Sequence, residues 1–403
     1  MSSAQRFLAL LVGLCFLAAV LRVVSRRAPV PYTVVLALAG IGVGALPGVP
    51  RSQISPDLIL LVFVPGLVFE ATITLDAAQL RRVLAAVISL ATVGVAATVL
   101  VIGSLAHLWL GLAWTDAMLL GAVLAPTDPI AVTTLLRRTQ ASPRLSAMLE
   151  GESLFNDGTG VAVFAALLAA VASGTPTAGD VTLRFLEITL GGAGIGLLCG
   201  ALGVALLRAV SEPQTEILVT IALAWGSYLA ADVAHTSGIV AAVTAGLVLA
   251  AVGRRVALHG REMTDFWQLL AFVLNAILFL LIGTALPTRE LLGQVGLVAG
   301  AFGIVVLARA VPVYALLLVL SPRARSIPWR WRHMIVWSGL RGALSVALAL
   351  SLTGNAHVDQ RVPLVAYGVV VLSLVVQGGP IRPLARLWAT GRAPAGSQAQ
   401  SPA

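Results

Sequence analysis

The chain has 403 residues, of which 59% are hydrophobic and 11% charged, and its mean hydropathy of +0.98 excludes a soluble globular protein. The formal net charge is +9, and the 26 Lys and Arg residues are all arginines, nearly all placed singly or in short groups at the ends of apolar runs. That pattern excludes a nucleic-acid footprint and marks membrane topology instead, so the fold class is an all-α polytopic membrane protein.

A spanning helix needs roughly 20 apolar residues, which predicts about thirteen transmembrane helices, centred near Phe16, Ala37, Val64, Ala96, Val123, Phe164, Ile195, Leu223, Val243, Leu278, Val306, Leu344 and Val371. The first run, from about Phe7 to Val24, has the length of a secretory leader, but Arg22, Arg26 and Arg27 beyond it predict a retained span. At 215–252 a polar interruption from Asp232 to Ser237 divides spans 8 and 9. Arginines check the count, because they collect on alternate sides: nineteen fall on one side, among them Arg81/Arg82, Arg137/Arg138/Arg144 and Arg382/Arg386/Arg392. Only Arg6, Arg51, Arg184, Arg289 and Arg361 fall on the other. The amino terminus is therefore placed outside and the carboxyl terminus in the cytoplasm. A membrane domain is expected over 1–388, followed by a short disordered cytoplasmic tail, small and polar, over 389–403.

Three acids, Asp128, Glu152 and Asp157, lie inside otherwise apolar stretches. A charge near the bilayer centre costs at least about 2.5–3.5 kcal/mol, so such acids point to ion pathways or proton relays. Arg309 lies inside span 11 and Arg341 inside span 12, and each needs a carboxylate or carbonyl partner. On a helix Ser153 shares a face with Asp157, and Glu152 shares one with Asn156. Pro126 and Pro129 remove two backbone donors around Asp128, and the freed carbonyls must find water, protein or an ion. Oxygen ligands of this kind suit a hard cation. The five histidines lie near span ends and far apart, and Asp76, Asp116, Asp180, Asp232 and Asp265 read as solvated or helix-capping. Cys15 and Cys199 form no disulfide or metal pattern.

An odd span count fits an inverted repeat: with span 7 as linker, spans 1–6 and 8–13 make two halves of opposite topology, and span 5 pairs with span 12. Span 5 carries Pro126 and Pro129, and span 12 carries Gly339 and Gly342 beside Arg341. Interrupted segments at matching positions point to a transporter's binding site.

The segments APTDPIAV, GESLFNDGTGVAVF, DFWQLLAFVLNAILFLLIG and WSGLRGALSVALALSL, in this order and spacing, resemble the monovalent cation:proton antiporter-1 family, the sodium/proton exchangers. The resemblance implies a cell (inner) membrane homodimer with a six-plus-six inverted repeat and broken helices crossing at spans 5 and 12. It implies a core of spans 4–6 and 11–13 moving against a dimerisation domain of spans 1–3 and 7–10. It places the ion and proton carboxylate at Asp157, with Ser153 as a side-chain ligand, Thr127 as a carbonyl ligand and Asp128 acting through water. Glu70, in PGLVFEATITLD, matches a further ligand of some members, so Na⁺ would meet Asp157, Ser153, Thr127 and Glu70. Glu152 and Arg341 match a structural ion pair, and Arg309 matches a basic residue near the site.

Asn156 stands where electrogenic cousins carry a second aspartate. Only Asp157 of that pair can take up a proton here, which predicts competition between H⁺ and Na⁺, and also Li⁺, at Asp157. One-for-one electroneutral exchange follows, with no cofactor and no enzyme activity. K⁺/H⁺ exchange is the alternative within the class. A cation channel, which lines its pore with rings from several subunits, and an intramembrane aspartyl protease, whose motifs are missing around Asp128 and Asp157, are remote.

Overall fold

The computed structural model describes residues 3–25, 30–45, 55–128, 132, 136, 142–172, 177–252, 259–319 and 327–389. Pro129, Arg137, Arg138 and the tail past Ala389 lie outside the described residues. Every described element is helical. In chain order they are α1 (Ser3–Val24), α2 (Tyr32–Gly44), α3 (Leu58–Thr74), α4 (Ala77–Leu110), α5 (Trp114–Leu124), α6 (Pro143–Ala172), α7 (Ala178–Leu207) and α8 (Pro213–Val233). There follow α9 (Gly238–Val252), α10 (Gly260–Ala285), the short α11 (Thr288–Gly293), α12 (Val295–Val319), α13 (Trp329–Trp337), α14 (Ala343–Leu352), α15 (Arg361–Gln377) and α16 (Ile381–Trp388).

Each of the expected span centres falls inside one of these helices. Six of them, α4, α6, α7, α8, α10 and α12, are long and apolar enough to cross a membrane alone. α15 and α16 join them as a pair bent by 59°. The division within 215–252 falls at 234–237, between α8 and α9. Polar residues set the helix ends as anticipated. Asp76 caps α4 by accepting from the N–H groups of Ala78 and Gln79, and Thr177 and Asp180 close a reciprocal capping box on α7. Asp116 behaves otherwise: it is buried and accepts from the N–H of Asp359.

Lipid offers no hydrophobic drive for helices to associate, so close contact depends on small residues. Gly40 of α2 and Gly283 of α10 bring two backbones together: a Cβ on either would strike the other helix's backbone carbonyl, Leu280 O or Ala37 O. α2, α3, α7, α8, α9 and α10 pack chiefly on one another, and so do α4, α5, α6, α12, α14 and α15. α6 bridges the two groups through α7 and α9. The wide faces of α7 that carry Leu190, Leu198 and Leu202 point outward.

Two elements stop inside the apolar layer. α5 ends at Leu124, with 125–128 non-helical, and α13 and α14 are separated by a break over 338–342. These are the interruptions anticipated at spans 5 and 12.

Candidate functional site

The two breaks touch: the Asp128 N–H donates to Leu340 O at 2.8 Å. The sequence GLRG explains how such backbones come together. Gly339 lies against Arg309, whose Nε would sit 3.2 Å from a Cβ at that position. Gly342 lies against Asp128: a Cβ there would fall 2.5 Å from Asp128 Cβ and 2.8 Å from Oδ2. Between the two glycines, Arg341 turns its fully buried side chain back to α5. Its Nη1 donates to Ala125 O at 2.7 Å and Pro126 O at 3.1 Å, carbonyls that the end of α5 leaves without helical partners.

This corrects the expected pairing of Glu152 with Arg341. Glu152 is buried and held by Arg309 in a two-pronged contact, Nη1 to Oε1 and Nη2 to Oε2, both 2.7 Å. Two arginines compete for one carboxylate. Arg309 takes it because Gly339 leaves its stem a path, whereas the orphan carbonyls of α5 engage Arg341. Arg309, expected as a basic residue near the site, is thus the direct partner of the buried acid.

From Glu152 a polar chain runs into the break of α5. Asn156 Nδ2 donates to Glu152 Oε1 (2.9 Å) and to Thr127 Oγ1 (2.7 Å), and Asn156 Oδ1 accepts from the Thr127 N–H (3.3 Å). Thr127 Oγ1 in turn shares a hydrogen bond with Ser153 Oγ at 3.0 Å. Asn156 is fully buried and has every side-chain atom engaged, so it works as a strut between α6 and the break. The shared face of Glu152 and Asn156 anticipated from their spacing is realised as this bond.

Asp157, the next residue, retains some exposure. Its side chain belongs to no hydrogen bond among the described residues, yet lies within electrostatic reach of Asp128 and Glu152. Arg309 balances Glu152, and Asp128 and Asp157 are the other two acids described at this crossing. Glu70 is half-buried on α3, a helix packed on α9 and α10 and touching α6. The structure therefore brings Thr127, Asp128, Ser153, Asn156, Asp157, Glu152, Arg309 and Arg341 to one crossing, with Glu70 on a neighbouring helix. Residues missed in the sequence are Ser373, whose Oγ accepts the Arg341 N–H at 3.1 Å, and Gln377, bonded to Trp337.

The histidines take up local duties. His107 bonds Leu112 O, His259 contacts the buried Glu216, and His333 contacts Tyr314. Among the described residues no group of three or more His, Cys, Asp or Glu side chains could hold a metal together.

A family model described as sodium/hydrogen exchanger, transmembrane, matches residues 12–387. The Na⁺/H⁺ antiporter ApNhaP of Aphanothece halophytica is 35% identical over 357 residues, covering 87% of this chain and 68% of that protein. The Na⁺/H⁺ antiporter NhaP of Pseudomonas aeruginosa is 37% identical over 348 residues, covering 82% of this chain and 81% of that protein. Among solved structures, the sodium proton antiporter MjNhaP1 of Methanocaldococcus jannaschii at pH 8 superposes with a TM-score of 0.79 at 19% identity. That match covers 96% of this chain and 98% of that one, a likeness of fold.

Proposed function

The chain belongs to the sodium/hydrogen exchanger family of membrane transporters, and from that premise we propose that it exchanges Na⁺ for H⁺ through the crossing of α5 with α13 and α14. The observation that carries the site assignment is the contrast between neighbours. Asn156 is locked into the protein by three hydrogen bonds, while Asp157 stands clear of that network and keeps access. A carboxylate so placed takes a proton at low pH and yields it to a monovalent cation, Na⁺ or Li⁺, as pH rises. In this reading Ser153, one helical turn before it, and the Thr127 carbonyl serve as oxygen ligands, with Asp128 contributing through water and Glu70 from α3.

With one titrating carboxylate per cycle, the exchange is one proton for one cation and moves no net charge. The group containing α4–α6 and α12–α16 acts as the mobile core, and the group containing α1–α3 and α7–α10 as the scaffold on which two copies dimerise. The arginine distribution supports thirteen crossings with the amino terminus outside. Crossing with an unloaded, charged site is opposed by the apolar layer, which couples the two fluxes.

The test is purified protein in liposomes with an internal pH dye, Na⁺, Li⁺ or K⁺ added outside, and the voltage clamped. Proton movement driven by Na⁺ at a rate independent of voltage is the expected result. A rate that follows voltage would overturn the one-for-one stoichiometry, and a response to K⁺ alone would reassign the cation. Passive cation flux without proton coupling would overturn antiport itself.

A further inference from the structure

The last turn of α15, over residues 373–377, is wider than an α-helical turn: the Gly378 N–H reaches Ser373 O, five residues back, at 3.1 Å. Such one-turn π-bulges recur at functional sites because they re-aim side chains within an otherwise regular helix. Here the turn faces the break between α13 and α14. Ser373 and Gln377 are four residues apart, so they share a helix face, and both are buried.

Each meets the broken segment. Ser373 Oγ donates to Val370 O at 2.8 Å and accepts the Arg341 N–H at 3.1 Å. Gln377 meets Trp337 at two points: its main-chain carbonyl accepts the indole Nε1–H at 3.0 Å, and its side-chain Nε2 donates to Trp337 O at 3.4 Å. Gly378 lets Leu340 pack close, since a Cβ on it would fall 3.1 Å from Leu340 Cδ2. The backbone groups at 337 and 341 that a broken helix leaves unpaired are therefore met from one side by α15. Leu340, between them, accepts the Asp128 N–H from the other side.

We propose that Ser373 and Gln377 are positioning residues of the ion site: they clamp the break so that Leu340 O holds Asp128 in register beside Asp157. The inference rests on the function proposed above. Neither residue touches the cargo; both act through the backbone at 337–341. Loss of the Ser373 hydroxyl releases the Arg341 N–H and lets Leu340 O drift, which weakens cation binding before it slows translocation.

The experiment compares wild type, Ser373→Ala, Ser373→Thr and Gln377→Leu, all full-length, in the same liposomes across a pH series. Ser373→Ala should raise the half-saturating Na⁺ concentration about five-fold, the scale of one lost hydrogen bond, with a changed pH profile and a maximal rate within about two-fold of wild type. Ser373→Thr, which keeps the hydroxyl, should restore both, and Gln377→Leu should resemble Ser373→Ala. Half-saturation and pH profile unchanged in Ser373→Ala would overturn the proposal, as would a defect that Ser373→Thr fails to repair. Na⁺-dependent thermal stabilisation of the same proteins in detergent reads the binding shift without exchange. Wild-type vesicles that do not exchange would therefore overturn the function, and an unshifted titration of Ser373→Ala would overturn the clamp. Should Ser373→Ala fail to fold, Gln377→Leu carries the same comparison.

Discussion

Arg309 grips Glu152 through two guanidinium nitrogens, each 2.7 Å from a different carboxylate oxygen, in a setting where both side chains are almost fully buried. Removing one partner of such a pair strands the other in a dry interior and costs about 3–5 kcal/mol, whereas removing both charges is far better tolerated. Arg309→Met is expected to unfold well below wild type in a thermal melt followed by tryptophan fluorescence. The double variant Glu152→Gln/Arg309→Met should recover most of that loss. Equal melting of the single and double variants would show that the contact contributes little.

Asp157 takes no part in the hydrogen bonds that hold the crossing together, so its charge can be removed without loosening the fold. Asp157→Asn is expected to keep the wild-type melting temperature and elution volume and to lose cation-driven proton movement in liposomes. Exchange at the normal rate in that variant would remove Asp157 from the centre of the mechanism.

Gly342 and Gly303 separate close approach from mere flexibility. A Cβ at Gly342 meets Asp128 Cβ at 2.5 Å, while one at Gly303, on α12, meets nothing within 4 Å. Gly342→Ala is expected to cost about 1–3 kcal/mol through overpacking and to impair transport by displacing Asp128. Gly303→Ala should be neutral or stabilising by about 0.5–1 kcal/mol. Paired melts and flux assays decide; equal behaviour of the two variants would mean that the gap at Gly342 does not set the position of Asp128.

How much of this was legible in advance depended on whether a feature was local. The helices could be read from apolar runs, and the breaks from Pro126 and the glycines at 339 and 342, because each signal lies within a few residues of its effect. The partner of Glu152 could not. Glu152 and Arg309 are 157 residues apart in the chain, and two arginines qualified equally by composition. What decides between them is the space beside Gly339 and the orphan carbonyls at Ala125 and Pro126, which exist only in three dimensions. Ser373 and Gln377 gave no signal either, since one hydroxyl and one amide in an apolar run look like ordinary packing until the backbone groups they meet are known.

Asn156 is more than a missing carboxylate. Its Nδ2 donates to Glu152 Oε1 at 2.9 Å, so Asn156→Asp would set an acceptor against an acceptor in a buried place. The variant should lose about 1–3 kcal/mol, the cost of an unsatisfied buried group, visible as a lower melting temperature at neutral pH. Wild-type stability would mean that the strut is dispensable.

Away from the membrane interior, Arg361 donates to Asp359 from Nη2 and Nε at 2.6 and 2.9 Å, and this contact holds the Asp359 carboxyl below the usual carboxylate range. A depressed folded-state value means that the stabilisation is fully present above the ordinary aspartate value, near about 4, and is lost as pH falls through the lower folded one. The pair is substantially exposed and contributes under about 1 kcal/mol. Asp359→Asn should melt slightly below wild type at pH 7, and the difference should close as the pH drops below that range. A gap that persists in acid would assign the effect to the hydrogen bonds on the neighbouring backbone.

The double contact between Arg309 and Glu152 also settles an account of charge at the crossing. Those two charges meet each other, while the guanidinium of Arg341 is turned to the carbonyls of Ala125 and Pro126. Both oxygens of Glu152 face a guanidinium nitrogen, so its charge is met inside the protein by a partner on another helix. An acid and a base that answer each other in this way tie α6 to α12 at the level of the crossing.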